Sequence, residues 1–204
     1  MGWYETHVVP RIIDRALDVE EIRRLRARTA TGLSGEVLEI GFGSGQSLAA
    51  YPPEVRRVVA VDPQPVARRL AEERVRRAPM EVVYIDLGAG GRLPLDDASV
   101  DHAMSNFTLC SIADAPAALA EVRRVLRPGG TFHFLEHGRS PDARVARWQD
   151  RLTPLQRRLL GGCHINRQID ELVTGAGFTI TDLRHYHLAG PRPLNYMYEG
   201  VARS

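Results

Sequence analysis

A glycine-rich turn follows the first apolar, β-branched run of the chain. The stretch Val37–Leu48 reads VLEIGFGSGQSL, and Glu39 stands two residues before three alternating glycines, Gly41, Gly43 and Gly45. Glycines at such a point permit a tight turn with positive φ and let a ligand approach the backbone closely. A turn of this kind directly after a strand is typical of a nucleotide-binding site.

The spacing of the turn separates two kinds of adenosine cofactor. The dinucleotide fingerprint G-x-G-x-x-G requires a third glycine at position 46, where this chain has Gln46. An acid before the turn, here Glu39, suits instead a cofactor that lacks a pyrophosphate and carries a cationic group. Asp62 ends the next apolar run, RVVAV, and is well placed to accept hydrogen bonds from both hydroxyls of a ribose. A purely structural turn remains an alternative.

Alternating strand and helix patterns must position these residues. Apolar runs predict strands at Val37–Ile40, Arg57–Val61, Glu81–Ile85, Val100–Ser105, Thr131–Leu135, Phe178–Tyr186 and Asn195–Ala202. Amphipathic patterns and caps predict helices at Val8–Ala30 (one or two), Gln46–Tyr51, Pro65–Arg77, Asp114–Leu126 and Ile165–Gly175. The alternation predicts an α/β fold with a doubly wound, mostly parallel seven-stranded sheet and an antiparallel hairpin at one edge.

The length of 204 residues predicts a single domain with a sizeable core. We divide it into an N-terminal helical cap (1–34), a cofactor-binding core (35–138), a substrate lid (139–164) and a last helix with the edge hairpin (165–204). The glycine turn and Asp62 both belong to the core.

Composition limits the range of functions. The net charge of +2 does not favour nucleic acid or an anionic membrane as a partner. Two cysteines do not make a disulfide framework. The sequence shows neither a signal peptide nor an apolar run of about 20 residues, so we expect a cytoplasmic protein without an integral membrane segment. Composition does not indicate an oligomeric state.

Four blocks, in this order, resemble class I S-adenosylmethionine-dependent methyltransferases: VLEIGFGSG, VVAVDPQP, LPLDDASVDHAMSNFTLCSI and EVRRVLRPGGTFHFLEHG. The shorter segments YPP, LCSI, LEHG and GGCHINRQ are similar to the methyltransferase-like proteins of animals that methylate small alkyl thiols, and to their bacterial relatives. The resemblance covers residues 37 to about 177. It implies a Rossmann-like methyltransferase fold, S-adenosylmethionine as cofactor and S-adenosylhomocysteine as product.

The resemblance also assigns cofactor contacts. It places Glu39, Gly41, Gly43 and Gly45 on the methionine and ribose side, Asp62 at the ribose, Pro63 near adenine, and Asn106 and Phe107 beside the methionine moiety. Many relatives carry G-D-A-E before Leu-Pro, and its Asp binds the adenine amino group. This chain reads Gly88-Ala89-Gly90-Gly91 there, so backbone amides near Gly88 and Ala89 must bind the adenine.

Methyl transfer from a sulfonium is an in-line displacement, in which alignment supplies much of the catalysis. A thiol, with a reference pKa of about 8.5, needs little help from a general base, whereas a hydroxyl needs more. The candidate bases are His137, which the preceding Glu136 could orient, and His164. A structural role is open for each histidine.

Four further residues are candidate substrate contacts. Cys110 is expected beside the cofactor. Cys163 could be a nucleophile, a metal ligand or a small residue in the wall of the acceptor pocket, of which the wall is favoured. Arg167 could face an acidic substrate group or solvent. Trp148 lies in the basic amphipathic stretch Arg147–Leu160, which could cover the acceptor or contact a membrane surface. No second cysteine lies near Cys163 in the sequence, so we expect no metal site. The animal thiol enzymes carry an Asp where this chain has Gly161, and this difference weakens the transfer of their substrate to this chain.

The sequence therefore predicts methyl transfer from S-adenosylmethionine to a small-molecule acceptor, with a thiol or sulfide favoured. An O- or N-acceptor, including a lipid amine, is the alternative within this class. Nucleic acid is not expected as a substrate because basic and aromatic residues do not interleave. Two alternatives belong to other classes: an NAD(P)-dependent oxidoreductase and a catalytically silent module that binds an adenosine cofactor.

Overall fold

In the computed structural model, which describes residues 7–204, seven strands form one sheet with the order β3-β2-β1-β4-β5-β7-β6. The strands are β1 Gly35–Ile40, β2 Val55–Val61, β3 Glu81–Ile85, β4 Val100–Asn106, β5 Leu126–His137, β6 Thr179–His187 and β7 Tyr196–Arg203. Strands β1 to β5 pair in parallel, and β7 runs antiparallel between β5 and β6. The predicted doubly wound sheet with an antiparallel edge hairpin is confirmed.

Six α-helices lie in the described part of the chain: α1 Val9–Ala16, α2 Glu20–Thr29, α3 Pro65–Arg77, α4 Ala115–Val125, α5 Ala143–Leu159 and α6 Ile169–Gly175. The predicted first helix is thus divided into α1 and α2. The expected helix after the glycine turn is a 3-10 segment, Gln46–Ala50. Asp114 caps α4 as predicted, accepting a bond from the Ala117 amide at 3.0 Å. No helix among these is long and apolar enough to cross a membrane.

Strand β5 begins earlier than the sequence predicts. Helix α4 ends at Val125, before the Pro128-Gly129-Gly130 segment expected to stop it, and the segment lies inside β5, which starts at Leu126. A register shift in the pairing with β4, between Val100 and His102, accommodates the segment. Gly130 passes so close to β4 that a Cβ there would lie 2.6 Å from the Asp101 carbonyl oxygen. The close passage explains how a glycine pair continues a strand.

Both faces of the central strands β1 and β4 are buried, as a parallel sheet between helices requires, whereas the edge strand β6 has no buried residue. Neighbouring residues of β1 serve opposite faces, since Val37 belongs to one apolar cluster and Leu38 to the other. The cluster around Leu38 takes in Leu119 of α4, and the cluster around Val37 takes in Ala71 of α3. Packing on both sides holds the strand ends in place.

The strand order reverses between β1 and β4. Strand β1 pairs with β2 on one side and with β4 on the other, so the chain leaves β1 and β4 in opposite directions. Ligands of open α/β sheets bind in the crevice beyond the carboxyl ends of the strands at such a switch point. The glycine turn, Asp62 and Asn106 follow or end β1, β2 and β4, and therefore meet there.

Candidate active site

A cavity of about 610 Å³ opens at this switch point. One end, which we call the polar end, is lined by Arg26, Glu39, Gly43, Asp62 and Asn106. The other, which we call the apolar end, is lined by Val9, Pro10, Ile13, Phe107, Ile112, Ala113, Gly161 and Gly162, with Ser111 and Arg157. The size is in the usual range for a small-molecule or cofactor site.

The three glycines of the turn have different surroundings. A Cβ on Gly41 (φ +69°) would lie 2.6 Å from the Thr108 Cβ, so this glycine permits close packing of two loops. A Cβ on Gly43 (φ +58°) would meet no atom nearer than 3.8 Å, because its open side faces the cavity. Gly45 instead packs toward Phe42 and Ala71 and is not among the residues that line the cavity. Gly43 is thus where a ligand can approach the backbone.

Asp62 presents a buried carboxylate at the end of β2. Its Oδ2 accepts a bond from the Gly43 amide and its Oδ1 one from the Gln64 amide, both at 2.7 Å. Burial raises the pKa of Asp62, and these two backbone donors oppose the rise. Each carboxylate oxygen keeps a further acceptor site, so the pair can receive the two hydroxyls of a diol.

Glu39 is the second buried acid of the polar end. Its Oε2 accepts the Tyr51 hydroxyl at 2.8 Å. Burial raises the pKa of Glu39 to about 7, although hydrogen bonds from Ser47 and Tyr51 and the charge of Arg26 oppose the rise. Glu39 thus changes charge near neutral pH.

Two buried polar atoms at the polar end have no hydrogen-bond partner among residues 7–204, and neither has Gln46 Oε1 elsewhere in the cavity lining. Arg26 donates through one terminal nitrogen to the Leu17 carbonyl at 3.0 Å, but its Nε is unpaired. Asn106 donates to the Ser47 hydroxyl at 3.2 Å, but its Oδ1 is unpaired. Burial lowers the pKa of Arg26 to about 10, which leaves it protonated at neutral pH. Unpaired buried groups are costly, and a cation with a nearby acceptor matches a ligand that carries both a carboxylate and an ammonium.

Arg26 was not anticipated from the sequence. It lies on the buried side of α2 together with Ile22, Leu25 and Thr29. An arginine on the apolar face of an amphipathic helix is the signal that could have identified it, because a fully buried arginine is rare unless it is paired.

Asp14 is a second residue that the sequence did not reveal. Its Oδ1 accepts bonds from the Ser44 hydroxyl (2.6 Å), the Gln46 amide (2.8 Å) and Arg74 (3.0 Å). Burial acts to raise the pKa of Asp14, but these three donors outweigh it and lower the pKa. Gln46, which stands where a dinucleotide site has glycine, therefore helps to hold α1 across the cavity.

The loop after β4 is held in an unusual conformation. Phe107 has φ +56°, which is rare for a bulky residue. The buried Glu136 carboxylate accepts the amides of Thr108 at 2.9 Å and Leu109 at 3.0 Å, together with the Ser105 hydroxyl at 2.7 Å. Glu136 therefore serves this loop and does not orient an imidazole, contrary to the sequence-based expectation.

The two candidate bases lie behind the cavity wall. The ring of His137 is 5.2 Å from the ring of Phe107, and a ring nitrogen of His164 is 3.2 Å from the Cys110 carbonyl oxygen. Neither histidine is among the residues that line the cavity. Burial, the first of several causes, lowers the pKa of His164. The structure thus brings neither candidate base to the cavity surface.

The two cysteines meet each other rather than the cavity. Their Sγ atoms are 3.4 Å apart, and both side chains are buried. The neighbouring Ser111 and Gly162 line the cavity, while the cysteines lie one residue behind. Cys163 has no second cysteine near it in the sequence, but the fold brings Cys110 next to it.

The remaining predicted contacts also lie away from the cavity. Arg167 donates to the carbonyl oxygens of Ile112, at 2.7 Å, and of Leu109, so it supports the loop after β4. Trp148 is 54% exposed and packs on Arg151. Gly88 is exposed and does not line the cavity, and the side chain of Ala89 lies outside the described part of the chain. Pro63, in contrast, lines the cavity beside Asp62.

Comparison with known proteins shows a consistent set of relatives. A family model described as a methyltransferase domain matches residues 38–134. Human thiol S-methyltransferase TMT1A is 34% identical over 163 residues, which cover 76% of this chain and 65% of the relative. Human thiol S-methyltransferase TMT1B is 33% identical over 178 residues, which cover 83% of this chain and 70% of the relative. The chain thus spans about two thirds of the length of these relatives.

Solved structures show the same fold at low identity. An S-adenosylmethionine-dependent methyltransferase from Mesorhizobium loti has a TM-score of 0.65 at 16% identity, and the match covers 91% of this chain and 99% of that chain. One from Methanosarcina mazei has a TM-score of 0.63 at 20% identity, covering 87% and 95%. These matches support the architecture of the sheet.

Proposed function

The chain belongs to the family of S-adenosylmethionine-dependent methyltransferases, and from this premise we propose that it transfers a methyl group to a thiol or sulfide acceptor of small size. The observation that carries the proposal is the apolar end of the cavity. Among the described residues assigned to this end, Arg157 is the one charged side chain. Asp14, which follows Ile13 on α1 and also lines the cavity, is engaged by Ser44, Gln46 and Arg74. Such a surface suits an apolar acceptor that needs little help in losing a proton.

The polar end fits the cofactor. Asp62 would accept the ribose hydroxyls, and Pro63 would pack near the adenine. Arg26, with its unpaired Nε, would bind the methionyl carboxylate, and the unpaired Oδ1 of Asn106 would accept the ammonium. Gly43, open toward the cavity, lets the backbone approach the ligand. When bound, S-adenosylmethionine supplies an electrophilic methyl group on a sulfonium with a good leaving group.

The residues of the apolar end contribute alignment. Ile13, on α1, and Phe107, on the loop after β4, both line the cavity and would restrict the directions from which an acceptor can approach. Correct alignment of two reactants can account for much of a displacement rate. Glu136 accepts hydrogen bonds from two backbone amides of the loop that follows Phe107, and thus acts as a positioning residue.

Arg157 contributes electrostatics. A nearby cation favours the ionised form of an acid, so the guanidinium lowers the effective pKa of a thiol placed at the apolar end. The reference pKa of a thiol is about 8.5, hence a modest decrease in pKa makes a large thiolate fraction available at neutral pH. The pKa of a phenol or an alcohol is too high for the same decrease to suffice. We therefore favour sulfur acceptors and require no general base.

A screen of acceptors tests the proposal. The protein is incubated with methyl-labelled S-adenosylmethionine and, separately, with alkyl thiols, sulfide, phenols, amines and a quinol. We expect methylated thiols and S-adenosylhomocysteine in equal amounts, with little product from the other classes. The quinol is included because a demethylmenaquinone methyltransferase from a Roseiflexus species is 35% identical over 158 residues.

Matched variants link the activity to this cavity. Arg157→Gln should shift the pH at which thiol methylation is half-maximal upward. Arg158→Gln should not, because Arg158 is also exposed on α5 but does not line the cavity. Faster methylation of a phenol, amine or quinol than of every thiol would contradict the sulfur acceptor but leave the methyltransferase assignment intact.

A further inference from the structure

Three potential metal ligands converge behind the apolar end of the cavity. The ligand atoms of Cys110, His137 and Cys163 all lie within 4.8 Å of one another. Among the residues that the structure describes, this is the one group of three or more histidines, cysteines and acids with such spacing. The three residues come from the loop after β4, the end of β5 and the segment between α5 and α6.

The backbone fixes the two cysteines relative to each other. The amide of His164, which follows Cys163, donates to the Cys110 carbonyl oxygen at 2.7 Å. The Cys110 amide donates to Glu136, the residue before His137, at 3.3 Å. The ring of Phe107 packs against His137. The cluster is therefore built into the fold and does not depend on chance rotamers of exposed side chains.

Burial shields the two thiols from solvent. Both cysteine side chains are buried, and their Sγ atoms lie 3.4 Å apart. Arg167 fixes the loop on either side of Cys110, because it donates to the carbonyl oxygens of Leu109 and Ile112. A bound cation would take the place of the thiol protons, as metal binding to cysteine requires.

We propose that Cys110, Cys163 and His137 form a binding site for Zn²⁺. Binding would release two thiol protons to solvent, and the two thiolates would balance the charge of the ion while a neutral imidazole nitrogen completes three protein ligands. Two sulfur ligands of tetrahedral zinc lie about 3.8 Å apart, close to the 3.4 Å between these Sγ atoms. Three protein ligands leave a fourth position for a water molecule.

Such a site would tie together the segments that form the apolar end. Phe107, Ser111 and Gly162 line the cavity, and each is next to a proposed ligand in sequence or in space. A metal ion at this point would fix the back of the acceptor wall. The inference concerns these side chains alone and does not depend on which acceptor is methylated.

Titration with Co²⁺ tests the site. The full chain is reduced, freed of metal with a chelator and titrated with Co²⁺, whose thiolate ligands produce charge-transfer absorption in the near ultraviolet. We expect this absorption to saturate at one ion per chain and to disappear when Zn²⁺ is added. Zn²⁺ should also raise the melting temperature of the metal-free protein.

Variants separate the ligands from their neighbours. Cys110→Ser and Cys163→Ser should each remove most of the charge-transfer signal, and His137→Gln should weaken the apparent affinity at least about tenfold. His185→Gln, on β6 and outside the cluster, is the matched control and should bind like the wild type. Calorimetric binding of S-adenosylhomocysteine, measured in every variant, reports whether the fold and the polar end are intact.

The wild-type titration decides the proposal even where a variant fails to fold. Free thiols that give no charge-transfer signal at saturating Co²⁺ would overturn it, and so would a signal that survives both serine substitutions. Loss of the thiols to a disulfide on exposure to air, with no metal bound by the reduced protein, would identify a redox pair and equally overturn it. Each of these results leaves the methyl-transfer proposal unaffected.

Discussion

The two ends of the cavity are built in different ways. At the polar end, Asp62 and Gly43 are joined by a hydrogen bond and come from the ends of adjacent parallel strands. At the apolar end, Ile13 of α1 and Gly162, which follows α5, come from parts of the chain far apart in sequence. The polar end can therefore recognise one ligand by fixed partners, while the apolar end can change its shape and its acceptor with few substitutions.

The first prediction concerns the central carboxylate of the polar end. Asp62→Ala deletes the acceptor of both proposed ribose contacts and frees the Gly43 and Gln64 amides. Bonds to a charged group contribute up to about 3 kcal/mol, so we expect S-adenosylhomocysteine to bind about two orders of magnitude more weakly, as measured by calorimetry. Asp86→Ala, an exposed acid after β3 that pairs with Arg68, is the matched control. Undiminished binding in Asp62→Ala would place the cofactor elsewhere.

The second prediction concerns the pH dependence of stability at the polar end. The pKa of Glu39 is about 7 in the folded chain and 4.5 as the reference, so the folded state binds this proton more tightly than the unfolded state. The resulting stability is fully present below pH 4.5 and is lost as the pH rises through 7. Its size is about 3 kcal/mol.

Glu39→Gln isolates this contribution. The difference in unfolding free energy between wild type and variant, from urea titrations, should fall across the interval from pH 4.5 to 7.5. Glu36→Gln, on the same strand, is the control and should show no comparable fall. A wild-type curve parallel to that of Glu39→Gln would show that Glu39 is already ionised throughout.

The third prediction separates the contact with the methionyl carboxylate from the contacts with the adenosine part of the ligand. Arg26→Gln removes the cation proposed to bind the methionyl carboxylate, and a charged hydrogen bond of about 2 kcal/mol corresponds to about 30-fold weaker binding of S-adenosylhomocysteine. Adenosine, which lacks the carboxylate, should bind the variant as it binds the wild type. Arg24→Gln, exposed on the same helix, serves as the control. Equal losses for both ligands would mean that Arg26 only supports the fold.

The difference between the two ends also decides what the sequence could predict. The glycine turn, Asp62 and the strand order follow from local patterns, because each strand end carries its own residues to the switch point. Arg26 and Asp14 escaped prediction because their roles depend on how α1 and α2 lie across the sheet. Cys110 and Cys163 lie 53 positions apart, and only the packed fold brings them together.

The apolar end escaped prediction for the same reason. The amphipathic stretch Arg147–Leu160 lies largely within α5, Ala143–Leu159, but periodicity does not say which part of it faces a ligand. Only Arg157 of this stretch lines the cavity, with Gly161 and Gly162 just beyond it, whereas Trp148 and Leu155 are more than half exposed. Trp148, the predicted substrate contact, does not line the cavity, and we propose instead that Ile13 of α1 contacts the acceptor.

The last and smallest effect tests that proposal directly. Ile13→Ala removes apolar surface from the roof of the apolar end, and a loss of about 1 kcal/mol should raise the KM for an alkyl thiol about fivefold. Binding of S-adenosylhomocysteine should not change, because the contacts proposed for that ligand are made by Arg26, Asp62 and Asn106 and not by Ile13. Ile12→Ala is the matched control, since Ile12 precedes it on α1, is similarly exposed and does not line the cavity. If Trp148→Ala raises the KM and Ile13→Ala does not, the body of α5 covers the acceptor and α1 does not.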